Sequence, residues 1–321
     1  MKIVILDGYT TNPGDISWAP FEALGELVVY EHTRPEEIFE RLSGVSICLT
    51  NKTCFPKEFL EKLPDLRYIG CLSTGFNVVD VDYCRAHGIT VTNIPEYATF
   101  ATAQMTIALL LEISSRVGHH SDLVHEGIWT RGRDFCFWDG ALTELWGKTL
   151  GLFGFGKIAS RVSKIASSMG MKVLACRRSE VTEEMRAADP QVSFVDEETL
   201  WKESDVISFH CPLTSETTGL VNAETISKMK DSVILLNTSR GPVLDESAVA
   251  SALKSGKIAA LGADVVSIEP IREDNPLLTA PNTILTPHIA WAPRETRIRL
   301  VDVASGNLRA YLEGSPVNVV S

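Results

Sequence analysis

Several things this sequence lacks narrow its function before any motif is read. No apolar run reaches the roughly 20 residues that a membrane-spanning helix needs, and Met1-Lys2-Ile3-Val4-Ile5-Leu6-Asp7 reads as the start of a strand, not a signal peptide. Positive charge is scarce: 30 Lys and Arg stand against 41 Asp and Glu, a net charge of −11. That balance argues against nucleic acid or an anionic membrane as partner, although it leaves room for a local basic pocket. The seven cysteines are an odd number and include no Cys-x-x-Cys pair. Cys48, Cys71 and Cys176 fall inside apolar strand-like runs, so reduced, buried thiols in a cytosolic protein are expected, not a disulfide framework. His119, His120 and His125 form no i, i+4 pair and have no flanking carboxylate set, so no metal site is expected. Internal repeats, low-complexity segments and flexible linkers are absent too.

What remains is a chain built to fold. Its 321 residues exceed one ordinary domain and its 45% hydrophobic content can fill two cores. Strand-like runs at Lys2–Leu6, Leu27–Tyr30, Val45–Leu49, Tyr68–Leu72 and Thr90–Ile94 alternate with helical patterns such as Pro35–Leu42 and Pro56–Leu63. A second series follows at Leu150–Phe153, Lys172–Cys176, Val192–Val195, Val206–His210, Val233–Asn237, Ala259–Asp264 and Thr283–Leu285. Such alternation predicts parallel sheets wrapped by helices, twice over. Phe100–Val117 reads as one unbroken apolar helix, to be buried between domains or subunits, and Pro293–Leu312 as the last helix.

The most informative stretch is Thr149–Ala159, where an apolar run ends in Gly154-Phe155-Gly156-Lys157-Ile158-Ala159 and a helical pattern follows. The order strand, glycine turn, helix is what a dinucleotide site requires. One glycine makes the tight turn, the next lets backbone approach a pyrophosphate, and the helix N-terminus presents N–H groups to the phosphates. Nearly half the chain precedes this turn, whereas a simple nucleotide-binding enzyme opens with it. Three later strand ends carry chemistry: Arg240 after Ser232–Leu236, Glu269 after Ala259–Ala263 and His288 after Thr283–Leu285. Arginine can grip a carboxylate, histidine can exchange a proton near neutral pH, and a carboxylate can orient the imidazole.

With these residues in view, the chain resembles the D-isomer-specific 2-hydroxyacid dehydrogenases over essentially its whole length. The resemblance is carried by Leu152-Phe153-Gly154-Phe155-Gly156-Lys157-Ile158, by His210-Cys211-Pro212-Leu213-Thr214 with Thr217, and by Asn237-Thr238-Ser239-Arg240-Gly241. Asp264-Val265 through Glu269-Pro270, and Thr286-Pro287-His288, complete the set. It implies an α/β fold of two doubly wound parallel-sheet domains, a Rossmann domain (98–288) inserted into a flavodoxin-like substrate domain (1–97 and 289–321). It implies Arg240, Glu269 and His288 as catalytic residues. Gly154, Phe155, Gly156, Lys157, Ile158, Cys211, Pro212, Thr217, Thr238, Asp264, Thr102 and His288 would meet the cofactor, with Asp264 at the nicotinamide amide and Thr102 lining its pocket. Ser73, Thr74 and Gly75 would receive the substrate carboxylate, with Asn51 and Trp291 beside Arg240 near the substrate.

The chain departs from the family where the second strand of the nucleotide unit ends. A carboxylate normally takes the adenosine ribose hydroxyls there, but here the residues are Cys176-Arg177-Arg178-Ser179. Two guanidiniums and a hydroxyl favour the 2′-phosphate of NADP(H), with NAD(H) as the alternative. The aromatic stretch Trp129–Trp138 stands where the family often has a dimerisation arm, so a homodimer is expected. The length is similar to that of glycerate dehydrogenase (hydroxypyruvate reductase) members, which implies a small 2-oxo acid such as hydroxypyruvate or glyoxylate. The absence of a regulatory domain after the last helix counts against the longer phosphoglycerate dehydrogenases. An NAD(H)-sensing corepressor of the same fold is the alternative, and it would want a docking groove and disordered tails.

Overall fold

Strand alternation decides the first sheet. The computed structural model describes residues 1–321, which divide into two units, Met1–Ala98 with Trp291–Ser321, and Thr99–Ala290. In the first unit β1 (Lys2–Ile5), β2 (Glu26–Val29), β3 (Ile47–Thr50), β4 (Tyr68–Cys71) and β5 (Thr90–Thr92) form one parallel sheet in the order β2-β1-β3-β4-β5. Successive side chains of a strand point to opposite faces. Accordingly Val4, Cys48, Ile69 and Val91 fill one core while Ile3, Ile47, Leu49 and Tyr68 fill the other. The second face is covered by the helix Arg294–Leu312, whose Leu300, Ala304 and Leu308 recur every fourth residue and are buried. Truncating either leucine to alanine should cost about 2–5 kcal/mol. The order makes β1/β3 the point where the chain reverses direction across the sheet, so the loops after their C-terminal ends open onto a crevice.

The second unit holds β6 (Thr149–Phe153), β7 (Lys172–Cys176), β8 (Val192–Phe194), β9 (Val206–Phe209), β10 (Val233–Asn237), β11 (Ile258–Ala263) and β12 (Thr283–Leu285). All pairs are parallel, in the order β12-β11-β10-β9-β6-β7-β8. Here the reversal lies between β6 and β9, so the glycine turn after β6 and His210 after β9 face one crevice. Helices Thr99–Ser115 and Lys157–Ser168 pack on one face through Ala103, Ile107, Leu110, Ala159, Val162 and Ala166. Helix Glu246–Ser255, with Leu200 and Trp201, covers the other.

One expected helix is two. The run read as continuous from Phe100 to Val117 ends at Ser115, and Arg116 adopts a left-handed φ of 51° before a second helix, Val117–His125. The Glu112 carboxylate accepts the Gly118 N–H at 3.1 and 3.2 Å, capping the new helix start. Arg116 meanwhile donates to the Asp139 carbonyl at 2.6 Å. These partners lie outside the local pattern of apolar spacing, and they favour a bend over continuation.

Candidate active site

The glycine turn is built for an anion. Gly154 has φ +86°, and a Cβ there would meet Cys211 N and His210 C at 2.8 Å. Only glycine lets β6 turn this close to the strand beside it. A Cβ on Gly156, by contrast, would project into open space, the room that a phosphate needs. Helix Lys157–Ser168 starts at Gly156 with no side-chain cap, and the amides of Phe155, Gly156 and Ile158 find no acceptor in the chain. Uncommitted N–H groups at the positive end of a helix fit a pyrophosphate. Ala159, fully buried, takes the third small position and lets helix approach strand.

The residues around this turn form its walls. Cys211 is buried, and burial pushes its thiol up, as it pushes Cys176 up to about 12. Both therefore stay uncharged and serve as packing, not as nucleophiles. Beyond Cys211 the exposed Pro212 gives its carbonyl to the buried Thr217 hydroxyl at 2.7 Å, and that hydroxyl accepts the Thr214 N–H at 2.8 Å. Thr217 thus shapes the loop after β9. Thr102 and Thr238 are both buried, and Thr106 links them. Its hydroxyl bonds the Thr102 carbonyl at 2.9 Å and pairs with the Thr238 hydroxyl at 2.8 Å. Nothing in the sequence pattern singled out Thr106, because its partner lies 132 residues away.

Beyond β10, β11 and β12 the candidate catalytic side chains share one edge of the sheet. Asn237 shapes the turn that carries Arg240: its amide donates to the Arg240 carbonyl at 2.9 Å and its oxygen accepts the Ser239 N–H at 3.0 Å. Arg240 is exposed and commits one guanidinium nitrogen to the Ser239 carbonyl at 2.8 Å. Its remaining N–H donors face outward for a carboxylate or carbonyl. Gly241 follows because a Cβ there would lie 1.9 Å from the Val266 carbonyl carbon, so the Arg240 turn and the loop after β11 touch through backbone.

His288 and Glu269 are paired, with Nδ1 2.6 Å from Oε2 and both side chains about one-third exposed. The carboxylate accepts from Nδ1, which leaves Nε2 as the nitrogen that can meet a substrate. His288 itself has a left-handed φ of 54°, and its N–H donates to the Asp264 carbonyl at 2.8 Å. Asp264 is 1% exposed and its carboxylate accepts three bonds: Thr286 Oγ1 at 2.5 Å, Ile289 N at 2.9 Å and Ala290 N at 2.8 Å. The sequence reading gave Asp264 a contact with the cofactor amide. The geometry gives it another task, fixing the loop that holds His288 in an unusual conformation.

In the first unit the turn after β4 also presents free donors. The amides of Ser73, Thr74 and Gly75 find no acceptor in the chain. The turn is held by the Thr74 hydroxyl on the Ile94 carbonyl at 2.7 Å and by Asn93 Nδ2 on the Thr74 carbonyl at 2.8 Å. Asn51 requires a correction. It is 3% exposed and its amide donates to Thr11 at 3.2 Å, so it is framework and not a substrate contact. The Asp7 carboxylate explains why, since it takes the N–H groups of Asn51, Lys52 and Thr53 at 2.8, 2.6 and 2.8 Å and turns Asn51 inward. Trp291 is half-buried and meets Tyr97 edge-on at 6.4 Å.

At the end of β7, Arg177 is half-buried and bonds the Ser179 hydroxyl. Arg178 forms an ion pair with Glu216.

Comparison with known proteins gives the family. Residues 107–290 match the family model described as D-isomer specific 2-hydroxyacid dehydrogenase, NAD binding domain. A hydroxypyruvate reductase from Blautia hydrogenotrophica is 52% identical over 324 residues, covering 100% of both chains. A glycerate dehydrogenase from Methylorubrum extorquens is 39% identical, covering 99% of this chain and 98% of that one. Among solved structures, D-lactate dehydrogenase from Aquifex aeolicus with NAD and lactic acid superposes with a TM-score of 0.83 at 30% identity, covering 100% of both chains.

Proposed function

The chain belongs to the D-isomer specific 2-hydroxyacid dehydrogenase family, oxidoreductases that act on 2-hydroxy acids with a nicotinamide cofactor, and we propose that it reduces a small 2-oxo acid, hydroxypyruvate or glyoxylate first among them. The observation that carries the mechanism is the His288–Glu269 pair at 2.6 Å. When bound, the cofactor supplies the hydride that reaches the carbonyl carbon. His288 gives the carbonyl oxygen its proton from Nε2. Glu269 holds Nδ1, fixes the ring's orientation and stabilises its charged form. Arg240 places a guanidinium against the carbonyl and the carboxylate, so charge developing on oxygen meets a preorganised cation. In the oxidative direction His288 is the base. The three uncommitted amides of Ser73, Thr74 and Gly75 are our proposed carboxylate acceptors, with Trp291 as a substrate neighbour. Turnover measured with a panel of 2-oxo acids and both reduced cofactors tests this reading, and failure to reduce any of them would refute it.

NADP(H) is our preferred coenzyme. Arg177, and not a carboxylate, directly follows β7, and it bonds Ser179 where the ribose is expected. Arg178 is already held by Glu216, so Arg177 carries the larger share of this argument. We further propose a homodimer. Helices Thr99–Ser115 and Val117–His125 and the arm beyond them expose Phe100, Val117, Phe135 and Trp138, the last two at 89% and 69%. Apolar exposure on this scale marks an interface on a soluble protein. Sedimentation of a monomer at micromolar concentration would contradict it.

A further inference from the structure

Glu269 sits on an exposed loop, Val266 to Asp274, with no helix or strand of its own. Its 2.6 Å contact with His288 therefore needs something else to fix the loop. Within the loop, Glu269 Oε1 accepts the Val266 N–H at 3.3 Å, a weak tether. A stronger one comes from the neighbouring helix. Glu246 opens helix Glu246–Ser255, but the helix start is already capped by Asp245, whose Oδ1 accepts the N–H groups of Ser247 and Ala248, each at 3.0 Å. That leaves the Glu246 carboxylate to the loop. Oε1 accepts the Ser267 N–H at 2.7 Å, and Oε2 accepts the Ser267 hydroxyl at 2.6 Å and the Asn275 amide at 2.9 Å. No cation pairs with this carboxylate. Asn275 is buried and its oxygen takes the Leu277 N–H at 3.0 Å, so the loop's far end is anchored to the same carboxylate as its near end.

We infer that Glu246 is a positioning residue for the acid–base pair: its carboxylate clamps both ends of the 266–274 loop and so holds Glu269 at His288. Charge-assisted bonds are the strong ones, and three of them converge here within two residues of Glu269 at one end and at Asn275 on the other. This inference rests on His288 and Glu269 being the catalytic pair.

The test uses Glu246→Ala, Glu246→Gln, and each in the Glu269→Gln background. Misplacement by about 1 Å can cost around 10²-fold in rate, so Glu246→Ala should lower kcat by at least about tenfold with a smaller change in KM. Added to Glu269→Gln it should lower kcat by less than twofold, because the positioned group is already gone. Glu246→Gln keeps both Ser267 bonds, the hydroxyl reversing its role, but turns its NH2 toward the Asn275 amide and loses that bond, so it should recover only part of the rate. A readout without substrate separates this inference from the functional one. The Nδ1 proton of His288, hydrogen-bonded to a carboxylate, gives a downfield NMR resonance that should persist in Glu246→Gln and be lost in Glu246→Ala and Glu269→Gln. Should Glu246→Ala fail to fold, Ser267→Ala should weaken the same resonance. Persistence of the resonance at its wild-type position in the Glu246→Ala or Ser267→Ala protein, or a rate loss from Glu246→Ala that is undiminished in the Glu269→Gln background, would overturn it.

Discussion

Replacing Asp264 by Asn should separate the work of its carboxylate from its size. The wild-type carboxylate takes Thr286 Oγ1 and Ile289 N on Oδ1 and Ala290 N on Oδ2, at 2.5, 2.9 and 2.8 Å. Asparagine has one oxygen and one NH2 group. In its better orientation it keeps the first two bonds as neutral ones and turns a donor toward the Ala290 N–H. The loss is one charge-assisted bond, about 1.5–3 kcal/mol, and a buried unsatisfied donor, about 1–3 kcal/mol. A total of about 2.5–6 kcal/mol is a large share of a domain's stability, and relief comes if the Thr286–Ala290 loop moves, taking His288 with it. Denaturant unfolding and steady-state kinetics on the same preparation measure both effects. The expected result is a lower midpoint and a kcat reduced by about 10²-fold, with cofactor affinity changed less. If Asp264→Asn unfolds at the wild-type midpoint and turns over at the wild-type rate, the three bonds do not hold the loop. If cofactor affinity alone falls, Asp264 acts on the nicotinamide and not on His288.

Three further outcomes follow from the geometry. Burial lowers the His210 imidazole from 6.5 to about 4, so between those pH values the unfolded chain binds a proton that the folded one does not. Stability should therefore fall as pH drops from about 6.5 to about 4 and then level, by at most about 3 kcal/mol, and His210→Gln should remove this dependence in urea titrations. Arg177→Asp should lower the ratio of kcat/KM for NADPH over NADH, and a parent that already prefers NADH would mean that the arginines face solvent. Glu269→Gln should lower turnover at fixed pH, because the imidazole loses the carboxylate that orients it; wild-type turnover in this variant would rule out the pairing.

Much of this site is legible in the sequence because its signals are local. The Gly154-Phe155-Gly156 turn announces itself between a strand and a helix, and Arg240, Glu269 and His288 each follow a run of apolar residues. Periodicity is blind to which strands neighbour each other, and the family resemblance implied two doubly wound parallel sheets without the orders that the structure shows. What stayed hidden is held by partners distant in the chain. Asp7 reaches the Asn51–Thr53 loop across 44 to 46 residues and turns Asn51 inward. Asp264 reaches Ile289 and Ala290 across 25 and 26. The helix break at Arg116 depends on Glu112 and on Asp139, 23 residues away. Apolar spacing records which face a residue occupies, but it does not record which carboxylate will collect a loop's amides.

The most direct test of the account is His288→Asn, assayed for 2-oxo acid reduction and, by titration of protein fluorescence, for binding of the reduced cofactor. General acid catalysis contributes about 10²–10⁴-fold, so turnover should fall by that factor while cofactor affinity stays within about twofold. A variant that retains near-wild-type turnover would remove His288 from the mechanism.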